Sequence, residues 1–152
     1  MNYFPKQYTA FKKYFPDYSK NSLSGNAVRE ICKDMYGNFW IGTEDAGLNK
    51  FDPSTGIFTH YKPTGAKTDI AYYNIHGLLA DKDKLWIGTF EHGLDIMDIK
   101  TGKIIKHYSA GDHSNLISNF VITIYKTREG EIFIGTWEGC KSITQLLISL
   151  FV

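Results

Sequence analysis

The stretch Trp40-Ile41-Gly42-Thr43 returns as Trp86-Ile87-Gly88-Thr89 and again as Phe133-Ile134-Gly135-Thr136. Trp86 lies 46 positions after Trp40, and Phe133 lies 47 after Trp86. Each copy follows a short apolar run and a polar turn. Each then leads, through a few polar residues, to a glycine: Gly47, Gly93 and Gly139. Self-similarity at this period means one supersecondary unit per repeat, arrayed against its neighbours.

Within a unit the pattern is four short strands separated by turns. In the first, Val28 to Lys33, Phe39 to Thr43, Leu48 to Phe51 and Ile57 to Tyr61 carry the apolar residues. Between them lie Asp34 to Asn38, Glu44 to Gly47 and Asp52 to Gly56, rich in the Asp, Asn, Pro and Gly that tight turns require. The second unit repeats this plan from Ile75 to Tyr108. The third runs from Val121 through Ile132 to Thr136 and fades after a third strand at Cys140 to Ile143. No helical period intervenes. Four strands in a unit of roughly 40–47 residues describe one blade of a β-propeller. Solenoid repeats are usually shorter, and a β-sandwich does not require self-similarity.

The expected organisation is all-β: a partial β-propeller, an open arc of about three radially arranged, four-stranded antiparallel blades. Residues 1–10 form an irregular N-terminal segment. Residues 11–15, Phe11-Lys12-Lys13-Tyr14-Phe15, alternate as a half-buried strand does and read as the last strand of a preceding blade. Blades occupy 27–61 and 74–108, an incomplete blade 120–143, and a non-repeating apolar tail 144–152.

Composition narrows the function classes. Lys plus Arg number 17 against 16 Asp plus Glu, so no basic excess marks a nucleic-acid partner. No segment approaches the roughly 20 apolar residues of a membrane span, so direct membrane insertion is not expected. The N-terminus has no apolar core of the signal-peptide kind. Cys32 and Cys140 belong to no CxxC pair and read as small buried apolar residues. His76, His92 and His113 have no spacing that closes a metal site, and His60 and His107 recur at one offset, each before a Tyr. No nucleophile–base constellation and no phosphate loop emerges. No catalysis, cofactor or metal is expected.

The repeat resembles the two-component regulator propeller repeat: an Asp-rich turn, then Gly-x-Leu-Trp-Ile-Gly-Thr, then Gly-Leu. Matching residues are Asp34, Gly37, Phe39 to Thr43 and Gly47-Leu48, then Asp81, Leu85 to Thr89 and Gly93-Leu94. The third copy has Gly130, Ile132 to Thr136 and Gly139, with Phe133 for Trp and Cys140 for Leu. The inter-blade phrase Leu23 to Val28 is echoed by Leu116 to Val121. The resemblance implies a sensor. In such proteins the repeats build large propellers outside the inner membrane, ahead of a membrane helix, a histidine kinase and often a DNA-binding regulator, and the usual stimulus is an oligosaccharide. Set against that layout the chain reads as a fragment. By resemblance it is periplasmic, and it is cytoplasmic if made as it stands; it is expected not to signal alone. Two other readings stay open: a protein-binding propeller scaffold, and part of a quinoprotein-type propeller enzyme, to whose Asp-x-x-Thr-Gly-Lys turn Asp98 to Lys103 is similar.

The repeat also acts as an internal control. Positions that recur build the blade; turns that differ are free to contact something else. Trp40 and Trp86 therefore read as packing. The turns after Gly-Thr read Glu44-Asp45-Ala46, Phe90-Glu91-His92 and Trp137-Glu138. The recurring acid either satisfies backbone donors in a tight turn or, with its aromatic neighbours, meets a sugar's hydroxyls and ring face. The candidate ligand-binding residues are Asp45, Phe90, Glu91, His92, Trp137 and Glu138, with Tyr72 and Tyr73 from an inter-blade loop. The expected partners are an oligosaccharide and further blades or a second chain. One such assembly is a two-fold dimer in which each chain's Phe11 to Phe15 completes the other's last blade.

Overall fold

Turn chemistry sets the hairpins. Asp34 accepts the backbone N–H groups of Tyr36 and Asn38 on Oδ1, both at 2.9 Å, which closes the turn between β1 (Val28–Lys33) and β2 (Phe39–Thr43). Thr43 Oγ1 donates to the Gly47 carbonyl at 2.8 Å and closes the next turn, into β3 (Leu48–Asp52), which pairs with β4 (Ile57–Tyr61). The computed structural model describes residues 11–17 and 21–143. The expectations for 1–10 and for the tail 144–152 lie outside the described residues.

The sheets are all antiparallel. The first has the order β1-β2-β3-β4. The second orders β5 (Ile75–Asp81), β6 (Lys84–Thr89), β7 (Leu94–Asp98) and β8 (Lys103–Tyr108) in the same way. The third contains β9 (Val121–Lys126), β10 (Ile132–Thr136) and β11 (Gly139–Ile143), with β10 central. Among the described residues there is no helix. The three blades form an open arc, with β1, β5 and β9 side by side along its inner edge.

Each motif position has its own task. Trp40 and Trp86 point into the next blade and are buried. Trp40 packs with Ile75, Leu78, Leu85, Ile87 and Met97 of the second blade; Trp86 packs with Val121, Ile124, Ile132 and Ile134 of the third. Burying side chains of this size contributes roughly 1.5–3 kcal/mol each. The glycine lets the next inner strand close in: a Cβ on Gly88 would stand 2.6 Å from Val121 Cγ1 and 3.0 Å from the Val121 carbonyl oxygen. The threonine closes the turn in all three copies, Thr89 donating to the Gly93 carbonyl and Thr136 to the Gly139 carbonyl, both at 2.8 Å.

Each inner strand also carries a bulge at the same place. The register skips Arg29 in β1, His76 in β5 and Ile122 in β9. A bulge leaves one residue unpaired, bends the strand and re-aims its side chain.

Two expectations fail. Residues 11–15 form no strand; only a single parallel bridge joins Pro16 to Leu23. No described strand runs beside 11–15, and extended backbone without a ladder leaves its entropy cost uncompensated. Tyr14 instead packs on Phe51 and Phe58, ring centroids 5.2 and 6.0 Å apart, while Phe11 and Phe15 are exposed. Neither cysteine is buried as expected: Cys32 is only half-buried. Cys140 is exposed, at the position where the repeat otherwise places Leu48 and Leu94. Burial pushes the Cys32 thiol up to about 12, so it packs rather than reacts.

Candidate functional site

The turns after the Gly-Thr pairs and the inter-blade segments meet at one end of the blades. Glu44 N–H donates to the Ala27 carbonyl, Phe90 N–H to that of Asn74, and Trp137 N–H to that of Phe120. These equivalent bonds fasten each variable turn to the segment leading into its own inner strand. The turns therefore stand on a rigid scaffold while their side chains differ, the usual arrangement for loops that bind.

Between the second and third blades this end opens into a cleft of about 570 Å³. Phe90 and Glu91 line it from one turn, Trp137 and Glu138 from the next, and Ile117 to Phe120 form the base with Ala110. Phe120 lies under the aromatic row. Its ring meets Phe90 edge-on at 4.7 Å and His76 edge-on at 4.9 Å, and lies within 7° of parallel to Trp137 at 6.1 Å. Trp137 is 73% exposed, unlike the buried Trp40 and Trp86. Asn119 Oδ1 accepts the Ala110 N–H at 2.6 Å, and the Asn119 carbonyl accepts the Gly93 N–H. The cleft's polar groups are thus held by the same bonds that join the blades.

Glu91 takes the left-handed backbone conformation, φ 57°, two residues before Gly93 at φ 81°. For a residue with a Cβ this costs roughly 1–2 kcal/mol. Neither Glu91 nor Glu138 has an ion-pair or hydrogen-bond partner for its carboxylate among the described residues. Burial lowers the pKa of His76 and the charge of Arg29 lowers it further, favouring the neutral ring against Phe90 and Phe120. Arg29 is paired with Glu44 at 2.8 Å.

Four of the residues singled out in the sequence, Phe90, Glu91, Trp137 and Glu138, line this one cleft. The other four lie outside its lining. His92 stacks on Tyr72, rings 3.9 Å apart and 6° from parallel, and Tyr73 packs beside Tyr72. Asp45 sits over Gly25 in the first blade, where an added Cβ would collide with its carboxylate. Phe120, Asn119 and His76 were not singled out. Asn119 repeats Asn26 and so reads as structural, Phe120 varies against Ala27 but lies inside that repeated inter-blade phrase, and His76 gains its place from a register skip that composition does not reveal.

A second cleft, of about 490 Å³, lies against the outer strand β8 and the segment 63–71. It contains Asp95, 1% exposed, whose Oδ1 is 2.7 Å from His107 Nδ1 and whose Oδ2 accepts the Ala71 N–H at 2.7 Å. Burial pushes the Asp95 carboxyl up, and the bonds from His107 and Ala71 only partly offset it. Asn49 holds the same register position in the first blade, where its Oδ1 accepts the Ser24 N–H at 2.9 Å. The Asp95 arrangement therefore ties down an inter-blade segment. Among the described residues no group of three or more His, Cys, Asp or Glu could hold a metal ion, and no helix is long and apolar enough to cross a membrane.

Residues 22–45 and 115–138 match the family model described as two component regulator propeller. The chain is similar to the extracellular domain assigned to the hybrid two component system BT3049 of B. thetaiotaomicron, with 28% identity and a TM-score of 0.74 over 88% of this chain. The corresponding domain of BT4673 from the same organism shares 24% identity, with a TM-score of 0.67 over 82%. PorZ, a surface component of the type-IX secretion system of Porphyromonas gingivalis, shares the fold at 17% identity and a TM-score of 0.70 over 86%. The chain spans 18 to 19% of the length of these structures. No curated protein sequence matches it. The chain has the fold of a propeller segment, two of its stretches match the two-component regulator propeller repeat, and it is similar to the extracellular domains of hybrid two-component systems.

Proposed function

We propose that this chain is a ligand-sensing propeller segment of a hybrid two-component system, working outside the cytoplasm and taking an oligosaccharide in the cleft between its second and third blades. The observation that carries this reading is the lining of that cleft. Exposed Trp137, near-parallel to Phe120, offers an apolar platform for a sugar ring, and Glu91 and Glu138 offer unpaired acceptors for its hydroxyls. The unfavourable backbone of Glu91 supports it, since such strain collects at binding sites. Relatedness to extracellular sensor domains supplies the biological setting.

The chain binds rather than turns over. A glycosidase needs a carboxylic acid of raised pKa beside a second carboxylate. Asp95, whose carboxyl burial raises, is buried in the other cleft and bonded to the backbone. Further blades or a second chain are the partners expected for the open ends of the arc, where Ile31 and Tyr125 are exposed.

Calorimetric titration with oligosaccharides tests the site. Trp137→Ala and Phe90→Ala should each weaken binding at least tenfold while leaving the thermal unfolding of the chain cooperative. Unchanged affinity in both variants would overturn the placement. Release of reducing ends from a polysaccharide, abolished by Glu91→Gln or Glu138→Gln, would overturn the assignment as a binding protein.

A further inference from the structure

The cleft's charge goes beyond the general reading of a saccharide site, although it rests on that reading. Its lining holds two carboxylates, Glu91 and Glu138, and no lysine or arginine among the described residues. Neither carboxylate is neutralised by an ion pair among the described residues, and Arg29, at the same end of the blades, is committed to Glu44. The remaining polar side chains, Ser118 and Asn119, use oxygens to hold the backbone: Ser118 Oγ accepts the Phe120 N–H at 3.3 Å and Asn119 Oδ1 the Ala110 N–H. The local field is therefore negative. An acidic sugar would bring a third carboxylate, or a sulfate, against two already present, with no donor fork to receive it. A hydroxyl or an ammonium group would meet acceptors already in place, and an ammonium over the Trp137 face would gain a cation–π contribution as well.

We infer that the cleft selects glycans by charge: it takes a sugar unit that is neutral or carries a protonated amine, binds the amine form more tightly, and rejects uronates and sulfated sugars. Glu91 and Glu138 are the specificity-determining residues. Phe90, Phe120 and Trp137 supply affinity common to every sugar and so do not discriminate.

The test uses the whole chain and three β-1,4-linked tetramers that differ in charge: a glucosamine, a glucose and a glucuronate oligomer. Two of the three tryptophans are buried, so fluorescence changes on titration report chiefly on Trp137. The expected order at low salt is amine, then neutral, then uronate, with roughly tenfold between the first two. Raising the salt should narrow that gap. In the Glu91→Gln, Glu138→Gln double variant, checked for native circular dichroism, the three affinities should converge. Uronate binding as tight as the neutral oligomer, or an order unchanged in the double variant, would overturn the inference and leave the saccharide site standing. No response to any of the three, nor to a wider panel of neutral oligosaccharides, would overturn the saccharide reading and this inference with it.

Discussion

The indole Nε1 of Trp40 donates to Asp34 Oδ2 at 2.9 Å, whereas the equivalent Nε1 of Trp86 is buried and has no partner among the described residues. The cause is one residue of turn length. In the first blade the turn between the inner strands runs Asp34 to Asn38; in the second it is a residue shorter, and Asp81 is drawn to Lys126 of the third blade instead. Two tryptophans with the same packing task thus differ in their hydrogen bonding.

Trp40→Phe should destabilise the chain more than Trp86→Phe, by about 1.5–3 kcal/mol, the usual worth of a hydrogen bond to a charged group. Both changes remove the same apolar volume, but only the first deprives Asp34 of a donor, while the second relieves an orphaned N–H. Chemical denaturation of the two variants checks this; equal losses would contradict it.

The same bond has a pH signature. Burial raises the pKa of Asp34, but the hydrogen bonds from Asn38, Trp40 and the backbone outweigh it and hold the carboxyl below its ordinary value. A depressed folded-state pKa contributes stability that is complete above the unfolded value, about 3.9, and is lost as pH falls through the folded one. Trp40→Phe should therefore move the acid-unfolding midpoint to higher pH further than Trp86→Phe does.

Asp95 has the opposite sign. Its carboxyl is raised by burial, so the stability it contributes is present below about pH 3.9 and is lost as pH climbs through the folded-state pKa. Asn49 does the same structural work without charge. Asp95→Asn should leave the chain at least as stable at pH 7 and remove this part of the pH dependence. A large loss of stability at neutral pH would show that the pairing with His107 outweighs the cost of burying the charge.

How far these features are legible in the sequence depends on whether they repeat. Trp40, Gly42, Thr43 and Gly47 announce the blade because their counterparts do the same work at the same spacing. Phe90 and Trp137 stand out because they vary in turns that otherwise match, and Glu91 and Glu138 because an acid recurs beside them. Phe120 lies under the cleft's aromatic row at a position that varies, with Ala27 and Asn74 as its counterparts, but it sits inside a phrase whose flanking Asn119 and Val121 do repeat, and that setting masks it. The bulge residues Arg29, His76 and Ile122 are equivalent in register but share no chemistry, and a register skip leaves no mark in residue type. Phe11 to Phe15 alternates as a strand does, but strand formation needs a neighbour, which no local pattern records.

Glu91→Gly should separate stability from binding. Glycine adopts φ near +57° without the Cβ penalty, so the variant should gain roughly 0.5–1 kcal/mol in thermal or denaturant unfolding. It also removes a carboxylate from the cleft and should weaken oligosaccharide binding. A variant both more stable and equally tight-binding would show that Glu91 serves neither the turn nor the ligand.

The ends of the arc present the last expectation. On the first blade, Ile31 is 54% exposed and pairs across the ladder with Ile41, while Phe39, Phe51 and Phe58 are cross-strand neighbours on the same face. On the third blade, Tyr125 is 63% exposed and pairs with Phe133, which occupies the position of the buried Trp40 and Trp86. Each face corresponds to one that is covered where two blades meet within the chain, so each offers apolar surface shaped for a neighbouring blade. Association through these faces needs no strand from residues 11–15. The purified chain should self-associate with rising concentration in sedimentation velocity. Ile31→Lys together with Tyr125→Lys should suppress that association by placing a charge on each face, with little change in melting temperature, since both side chains are more than half exposed. A monomer at every concentration in the unmodified chain would show that these faces are already satisfied without a partner.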